Sequence, residues 1–105
     1  MNLLLEENRE WLPANYPGIE FSWLWKNAEK GGTALLKLVT GACLPTHKHP
    51  GWEQIFILKG KVKFCNQVLS AGDFVSTTAG DVHGLVALEP SLFIVMSEKE
   101  GVELQ

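Results

Sequence analysis

Short runs of apolar residues alternate with polar ones along most of this chain, and turn-forming residues interrupt them about every eight to twelve positions. This spacing is typical of short antiparallel strands joined by turns. After Tyr16-Pro17-Gly18 the pattern predicts two strands, IEFSWLWK and TALLKLVT, with Lys30-Gly31-Gly32 as the hairpin turn between them. Five further strands are predicted at QIFILKG, KVKFC, VLSAGDF, VHGLVAL and SLFIVMS.

The N-terminal stretch, residues 1–14, is the one part of the sequence with room for a helical turn or two. Pro13 and Pro17 prevent a helix from continuing, so we expect an irregular lead-in. Seven or more short strands in a chain of this length cannot form one flat, open sheet, because its edges would be left unpaired. The pattern therefore predicts an all-β fold, closed as a barrel or as a two-sheet sandwich.

Composition narrows the class of protein. The chain has 105 residues and a net charge of −3, and we expect a single domain over residues 1–105. Its lysines are scattered and do not form a basic stripe, so we do not expect nucleic-acid binding. No apolar run approaches the roughly 20 residues that span a bilayer, and MNLLLEENREW carries acids where a signal peptide would be basic. We therefore expect a cytoplasmic protein without a membrane partner.

The segment GACLPTHKHPGWE carries the candidate chemistry. His47 and His49 share one face of an extended strand, with Cβ atoms about 7 Å apart, which suits two ligands of one metal ion. A turn at Pro50-Gly51 can aim Glu53 back toward them, and His83 can add a third nitrogen from the opposite wall of a barrel. Such a donor set suits Fe, Mn, Ni, Co or Zn rather than Mg or Ca. The alternative is a polar surface loop, since His-x-His pairs are common there.

The spacing around the two histidines separates these alternatives. The pattern Gly41-x5-His47-x-His49-x3-Glu53-x6-Gly60 resembles the first sequence motif of the cupin superfamily at every specified position.

The second cupin motif is matched in part. Gly72, Gly80 and His83 occupy the expected positions. Thr78 stands where the motif has proline, and Ala87 stands where it has asparagine. Neither departure removes a metal ligand, so the resemblance covers Gly41 to Ala87 and keeps the site intact.

The resemblance implies a cupin fold, which is a jelly-roll barrel, or double-stranded β-helix, of two antiparallel sheets around a pocket. It implies a divalent transition metal such as Fe, Mn, Ni or Zn held by His47, His49, Glu53 and His83. The chain also looks, more loosely, like the cupin domain of zinc-containing anti-sigma factors and like single-domain quercetinase-type dioxygenases.

Two functions follow from this resemblance. The first is a dioxygenase-like enzyme for a small molecule, in which Glu53 is both a ligand and a catalytic proton acceptor. The second is a sensor that holds zinc or a small ligand without turnover, and an empty, vestigial site is a third reading. We expect the pocket wall to include Ile55, Ile57 and Leu85, with Phe74 or Val75.

Several other residues give weaker expectations. Trp52 lies between His49 and Glu53 in sequence and is predicted to roof the pocket mouth. Cys43 and Cys65 are expected to be free thiols buried in the core, with a metal-ligand or redox role for Cys43 as the alternative. Apolar side chains on the outward strand faces predict a homodimer formed by sheet packing. They are Phe56, Leu58, Val86 and Leu88.

Overall fold

Eleven short strands form two antiparallel sheets in the computed structural model, which describes residues 1–99 and the backbone of residues 103–104. The strands are β1 (Leu12–Pro13), β2 (Ile19–Lys26), β3 (Lys30–Leu38), β4 (Cys43–Lys48), β5 (Glu53–Lys59), β6 (Lys61–Phe64), β7 (Gln67–Ser70), β8 (Phe74–Thr77), β9 (Val82–Ala87), β10 (Ser91–Lys99) and β11 (Glu103–Leu104). Within the described residues, helical structure is limited to a 3-10 turn at Glu6–Asn8.

The strand order follows a jelly roll. The six-stranded sheet runs β1-β2-β3-β10-β5-β8, and the five-stranded sheet runs β11-β4-β9-β6-β7. Strand β10 pairs with β3 on one side and with β5 on the other. The last long strand therefore joins two parts of the six-stranded sheet that are distant from it in sequence. The predicted all-β fold of two antiparallel sheets is confirmed.

Inward-facing apolar side chains of both sheets form the core. Phe93, Ile57 and Val62 are completely buried, and Leu38 is nearly so. Each such side chain contributes about 1.5–3 kcal/mol through removal from water. The alternation of buried and exposed positions in β5 and β9 matches the period of a strand, so one face of each points into the barrel.

Register aligns the inward side chains of the six-stranded sheet in three rows across the strands. We call the first two the apolar rows and the third the polar row. The first apolar row is Phe21, Leu36, Phe93 and Ile57, and the second is Trp23, Ala34, Val95 and Ile55. The polar row is Ser97, Glu53 and Thr77. Polarity therefore changes along the barrel, from an apolar interior to a polar end.

The β2–β3 hairpin exists as predicted, but its turn lies earlier than the glycines. Asn27 begins the turn, and Lys30 has the left-handed φ of 66°. The Lys30 N–H donates to the Asn27 carbonyl oxygen at 3.0 Å. Gly31 and Gly32 lie within β3, where a Cβ on Gly32 would come within 2.1 Å of the Trp25 carbonyl oxygen. These glycines therefore allow the two strands to approach closely, and they do not form the turn.

Both cysteines are free, as expected, but the prediction that they are buried is wrong. Cys43 begins β4 on its outward face, and Cys65 occupies the β6–β7 turn with a φ of 55°. Both thiols are exposed because neither position points into the barrel. Across residues 1–99 and 103–104, no helix has the length and apolar character needed to cross a membrane.

Candidate metal centre

Two of the predicted ligands are neighbours across adjacent strands. His47 on β4 and His83 on β9 are register partners in the five-stranded sheet, and their ring centroids are 4.3 Å apart. Both imidazoles are buried, at 5% and 3% exposure. The prediction that His83 reaches the site from the opposite wall is wrong, because β4 and β9 are hydrogen-bonded partners in one sheet.

Glu53 faces these rings from the other sheet. It is the first residue of β5, and the segment 49–52 carries the chain from the five-stranded to the six-stranded sheet. His49 lies immediately after β4, at the start of this connection. The turn at Pro50 and Gly51 thus brings the carboxylate back toward the histidines, as the sequence predicted.

Four ligand atoms converge between the sheets. His49 Nε2 contacts Glu53 Oε2 directly, and His83 Nε2 lies 3.2 Å from Glu53 Oε1. His47 Nε2 lies 3.1 Å from His49 Nε2. Each of the four residues offers one ligand atom, and these four atoms all lie within 4.8 Å of one another. All four residues singled out in the sequence are therefore brought together.

The backbone orients one of the rings. A register shift in β4 between Leu44 and His47 leaves the Pro45 carbonyl oxygen to accept a hydrogen bond from His47 Nδ1–H at 2.8 Å. This bond fixes the tautomer, so Nε2 keeps its lone pair facing the other ligand atoms. The Nδ1 atoms of His49 and His83 are buried without a hydrogen-bond partner.

The protonation states suit ligand chemistry. Burial raises the pKa of Glu53, but the close contacts and charge interactions with His49 and His83 outweigh it and lower that pKa to about 2. Burial lowers the pKa of His47 below 6.5, and the nearby imidazoles lower it further against the opposing hydrogen bond to Pro45. The centre therefore favours an ionised carboxylate and a neutral His47 imidazole at pH 7.

This donor set fits a divalent transition metal. The buried His83 Nε2 lies 3.2 Å from Glu53 Oε1 but has no hydrogen-bond partner among the described residues. His47 Nε2 and His49 Nε2 lie 3.1 Å apart, a separation that either a proton on His49 Nε2 or a cation between the two atoms satisfies. Three imidazole nitrogens and one carboxylate match the preferences of Fe, Mn, Ni or Zn.

The connection between His49 and Glu53 is fixed by Glu98 on β10, which sequence reasoning missed. Glu98 Oε1 accepts a hydrogen bond from the Trp52 N–H at 3.2 Å, and the Glu98 N–H donates to the Trp52 carbonyl oxygen at 3.1 Å. A Cβ on Gly51 would lie 2.6 Å from Glu98 Oε1, so glycine permits this contact. Nothing in the motif spacing points to a residue 46 positions away.

A second loop supports the site from the other side. The Gly80 N–H donates to the His49 carbonyl oxygen at 3.2 Å. Thr78, which stands where the cupin motif has proline, donates its N–H to Asp81 Oδ2 at 2.8 Å. Proline has no N–H, so this turn is held by a hydrogen bond instead of by a ring. Ala87, at the asparagine position, is buried in the core.

The metal-ligand candidates form part of the wall of a cavity of about 450 Å³. Its wall includes Ile55 and Leu85, as predicted, but not the other three residues expected there. Ile57 is completely buried in the core, Val75 packs against the core, and Phe74 is exposed. Aromatic lining comes instead from β2, β10 and the connection between β1 and β2. These residues are Tyr16, Phe21, Trp23 and Phe93.

Trp52 does not line this cavity. Its side chain is 42% exposed, so the predicted roof over the pocket mouth is wrong. Glu98 holds the Trp52 backbone, while the Trp52 residue itself is exposed.

Comparison with known families and structures agrees with the fold. The family of ChrR cupin-like domains matches residues 3–101. No curated protein matches the chain. KdgF from Halomonas sp. is 26% identical with a TM-score of 0.81, and the alignment covers 95% of this chain and 96% of that one.

Two further solved structures share the fold at lower identity. The acetylacetone dioxygenase from Acinetobacter johnsonii is 19% identical with a TM-score of 0.74, over 92% of this chain and 72% of that one. A chain of the complex between Rhodobacter sphaeroides SigE and the anti-sigma ChrR is 22% identical with a TM-score of 0.76, over 90% of this chain and 51% of that one. The same fold thus occurs in an enzyme and in a regulatory complex.

Proposed function

This chain belongs to the family of ChrR cupin-like domains. Within that family, we propose that it is a metal-dependent oxygenase, of the dioxygenase type, for a small molecule. The observation that carries the proposal is that the four candidate ligands open onto a cavity with aromatic and aliphatic walls. A purely structural zinc site is closed by its four ligands and needs no such space.

In this proposal His47, His49, Glu53 and His83 hold the metal ion. A divalent transition metal supplies Lewis acidity and, for Fe, Mn or Ni, the capacity to activate dioxygen. The bond from His47 Nδ1–H to Pro45 keeps the ring oriented, and Glu98 maintains the separation between His49 and Glu53. The chain therefore contributes an oriented and buried set of ligands.

The apolar rows and Glu53 interact with the small molecule in this proposal. The apolar rows exclude water and favour a ligand with an apolar or aromatic body. Glu53 is ionised throughout the neutral range, because its pKa is about 2, and this suits a metal ligand. Such a pKa makes the carboxylate a weak base, so its role as proton acceptor would require a substrate proton that a bound metal ion acidifies, such as that of a coordinated enol. Glu53 is thus assigned two roles, as metal ligand and as proton acceptor.

Metal content and oxygen uptake test this proposal together. Protein purified without added metal or a metal-affinity column is analysed by mass spectrometry, and oxygen uptake is then measured with catechols, flavonols and β-diketones. We expect stoichiometric Fe, Mn or Ni, with uptake that is absent in the His47→Ala variant. Stoichiometric zinc without uptake in the unmodified protein would contradict the oxygenase function.

A second candidate is a non-catalytic sensor that binds zinc or a small ligand. It is favoured by the match to ChrR cupin-like domains and by the shared fold with a chain of the SigE–ChrR complex. The same experiment separates the two functions, because the sensor requires tight zinc binding and no oxygen uptake.

The assembly also remains a prediction. Phe56 and Leu58 on β5 and Leu88 after β9 are exposed, whereas Val86 is half-buried. Phe74 on β8 is exposed beside Phe56, its register partner. These residues belong to the outward faces of both sheets. We expect a homodimer in which one such face packs against its copy, and sedimentation giving a single 11.6 kDa species at micromolar concentration would contradict it. The predicted cytoplasmic location is likewise a proposal.

A further inference from the structure

The inward side chains of β10 change from apolar to charged along the strand. Phe93 is completely buried, Val95 and Ser97 are partly buried, and Lys99 is exposed. All four line the cavity, as expected for alternate residues on one face of a strand. Along β10 the cavity lining therefore changes from an apolar interior to an end that carries a lysine.

The charged end lies beside the four candidate ligands. Ser97 is the register partner of Glu53, and direct cross-strand pairs have Cβ atoms about 4.5–5.5 Å apart. Lys99 is two residues further along β10, which places its Cα about 7 Å beyond that of Ser97. The lysine and the metal-ligand candidates thus occupy the same end of the barrel.

Lys99 has one ion-pair partner among the described residues. Its Nζ lies 3.9 Å from Glu29 Oε2, and the two side chains are 46% and 63% exposed. Such exposed pairs contribute at most about 1 kcal/mol, so Glu29 does not compete strongly with an anion bound inside the cavity.

The charge at this end is positive when a metal is bound. Among the described lining residues, Glu53 and Lys99 are the ones with formal charge, and they cancel. A divalent ion held by the four ligands leaves a net charge of about +2 at the polar end. An anionic group is therefore favoured at this end and disfavoured against the apolar rows.

We propose that the cavity binds a small organic acid, with its carboxylate beside Ser97 and Lys99 and its apolar or aromatic body against Trp23 and Phe93. The proposal deepens the proposed function and rests on it, because it names the class of molecule taken by the same site. Lys99 is assigned as the residue that selects the acid over its neutral analogue. The cavity volume, about 450 Å³, lies near the lower end of the usual range for ligand pockets, about 300–1,000 Å³, which limits the acid to a small one.

Calorimetric titration with a matched pair of probes tests this assignment. The probes are 3-phenylpropionate and its neutral amide, 3-phenylpropionamide, added to protein of measured metal content. We expect the acid to bind at least tenfold more tightly than the amide, with an affinity that falls as salt is raised. Equal affinities for the two probes, or no binding of the acid at millimolar concentration, would overturn the proposal.

Charge-neutralising variants then locate the effect. Lys99→Gln should weaken acid binding about tenfold and leave amide binding unchanged. The control is Lys63→Gln, which makes the same change at an exposed position on β6 outside the cavity lining and should alter neither affinity. Unchanged acid binding in Lys99→Gln would overturn the role of this lysine.

The two proposals fail in distinguishable ways. Protein without bound metal would contradict the metal-dependent function, yet the Lys99→Gln comparison can still be made on it. Conversely, metal-loaded protein that binds the acid and amide equally would contradict the ligand class and leave the metal centre standing.

Discussion

The two sheets contribute different numbers of ligand candidates and different shares of the cavity wall. The five-stranded sheet supplies His47 and His83 from paired strands, and His49 follows directly after β4. The six-stranded sheet supplies a single ligand candidate, Glu53, and most of the apolar wall. Metal affinity should therefore depend mainly on the first sheet, and the size and charge of the bound molecule mainly on the second.

The largest expected effect is loss of metal on truncating a ligand of the five-stranded sheet. We expect His83→Ala to weaken metal binding by about 100-fold or more, because it removes one of four donors from a buried centre. Equilibrium dialysis against a competing chelator measures the change. Val86→Ala, on the same strand but outside the cavity lining, is the matched control and should keep the metal. Full metal retention in His83→Ala would disprove the assignment.

A substitution in the six-stranded sheet should have the opposite pattern. Ala34 is buried in the second apolar row and lines the cavity, so Ala34→Leu places extra volume where the small molecule is expected. We expect ligand binding to weaken by about 1–3 kcal/mol, or roughly 5- to 150-fold, with unchanged metal content. Titration and metal analysis on one preparation check this.

Ala28→Leu is the control for that experiment, because Ala28 lies in the exposed β2–β3 turn. Loss of metal in Ala34→Leu at an unchanged fold would show that the two sheets do not act separately.

A smaller effect is expected at the contact that joins the two regions. Glu98→Gln keeps the size of the side chain but weakens its hydrogen bond to the Trp52 N–H. Since this bond holds the connection between His49 and Glu53, we expect about tenfold weaker metal binding. Glu89→Gln in the β9–β10 turn is the control. A fall in the melting temperature of metal-free protein without a change in metal affinity would indicate a purely structural role.

Acid should weaken the metal-free fold through the one carboxylate of the centre. The pKa of Glu53 is about 2 in the folded chain against about 4.5 when unfolded, so its contribution is complete above pH 4.5 and lost as pH falls toward 2. Urea unfolding between pH 3 and pH 7 measures this. Glu53→Gln should flatten the profile over that range, and an equally steep profile would rule out the carboxylate as its source.

The sequence predicted the face and the identity of the ligands better than their position in the fold. Motif spacing and strand alternation brought out His47, His49, Glu53 and His83, because side chains two apart share a face. The sequence-based prediction placed His83 on the wrong wall of the barrel, because the spacing of strands along the chain does not specify which strands pair. Glu98 was missed for a related reason, since its contact with Trp52 depends on the pairing of β10 with β5.

Local backbone chemistry explains two other differences. Gly31 and Gly32 are residues typical of a turn, but they lie within a strand and allow close packing of neighbouring strands. The carbonyl oxygen of Trp25 leaves no space for a Cβ at Gly32. Cys43 is apolar enough for a core, yet strand phase puts it outside. In both cases the phase and pairing of the strands decided the outcome.

The meeting of two imidazoles from one sheet, and a third from the connection, with a carboxylate from the other sheet also affects how the barrel opens. A bound ion would cross-link β4 and β9 to β5, so separating the two layers would first require breaking its coordination bonds. Amide hydrogen exchange in these three strands should then slow in proportion to metal saturation, while the β1–β2 edge of the six-stranded sheet, which pairs with none of them, keeps its own rate.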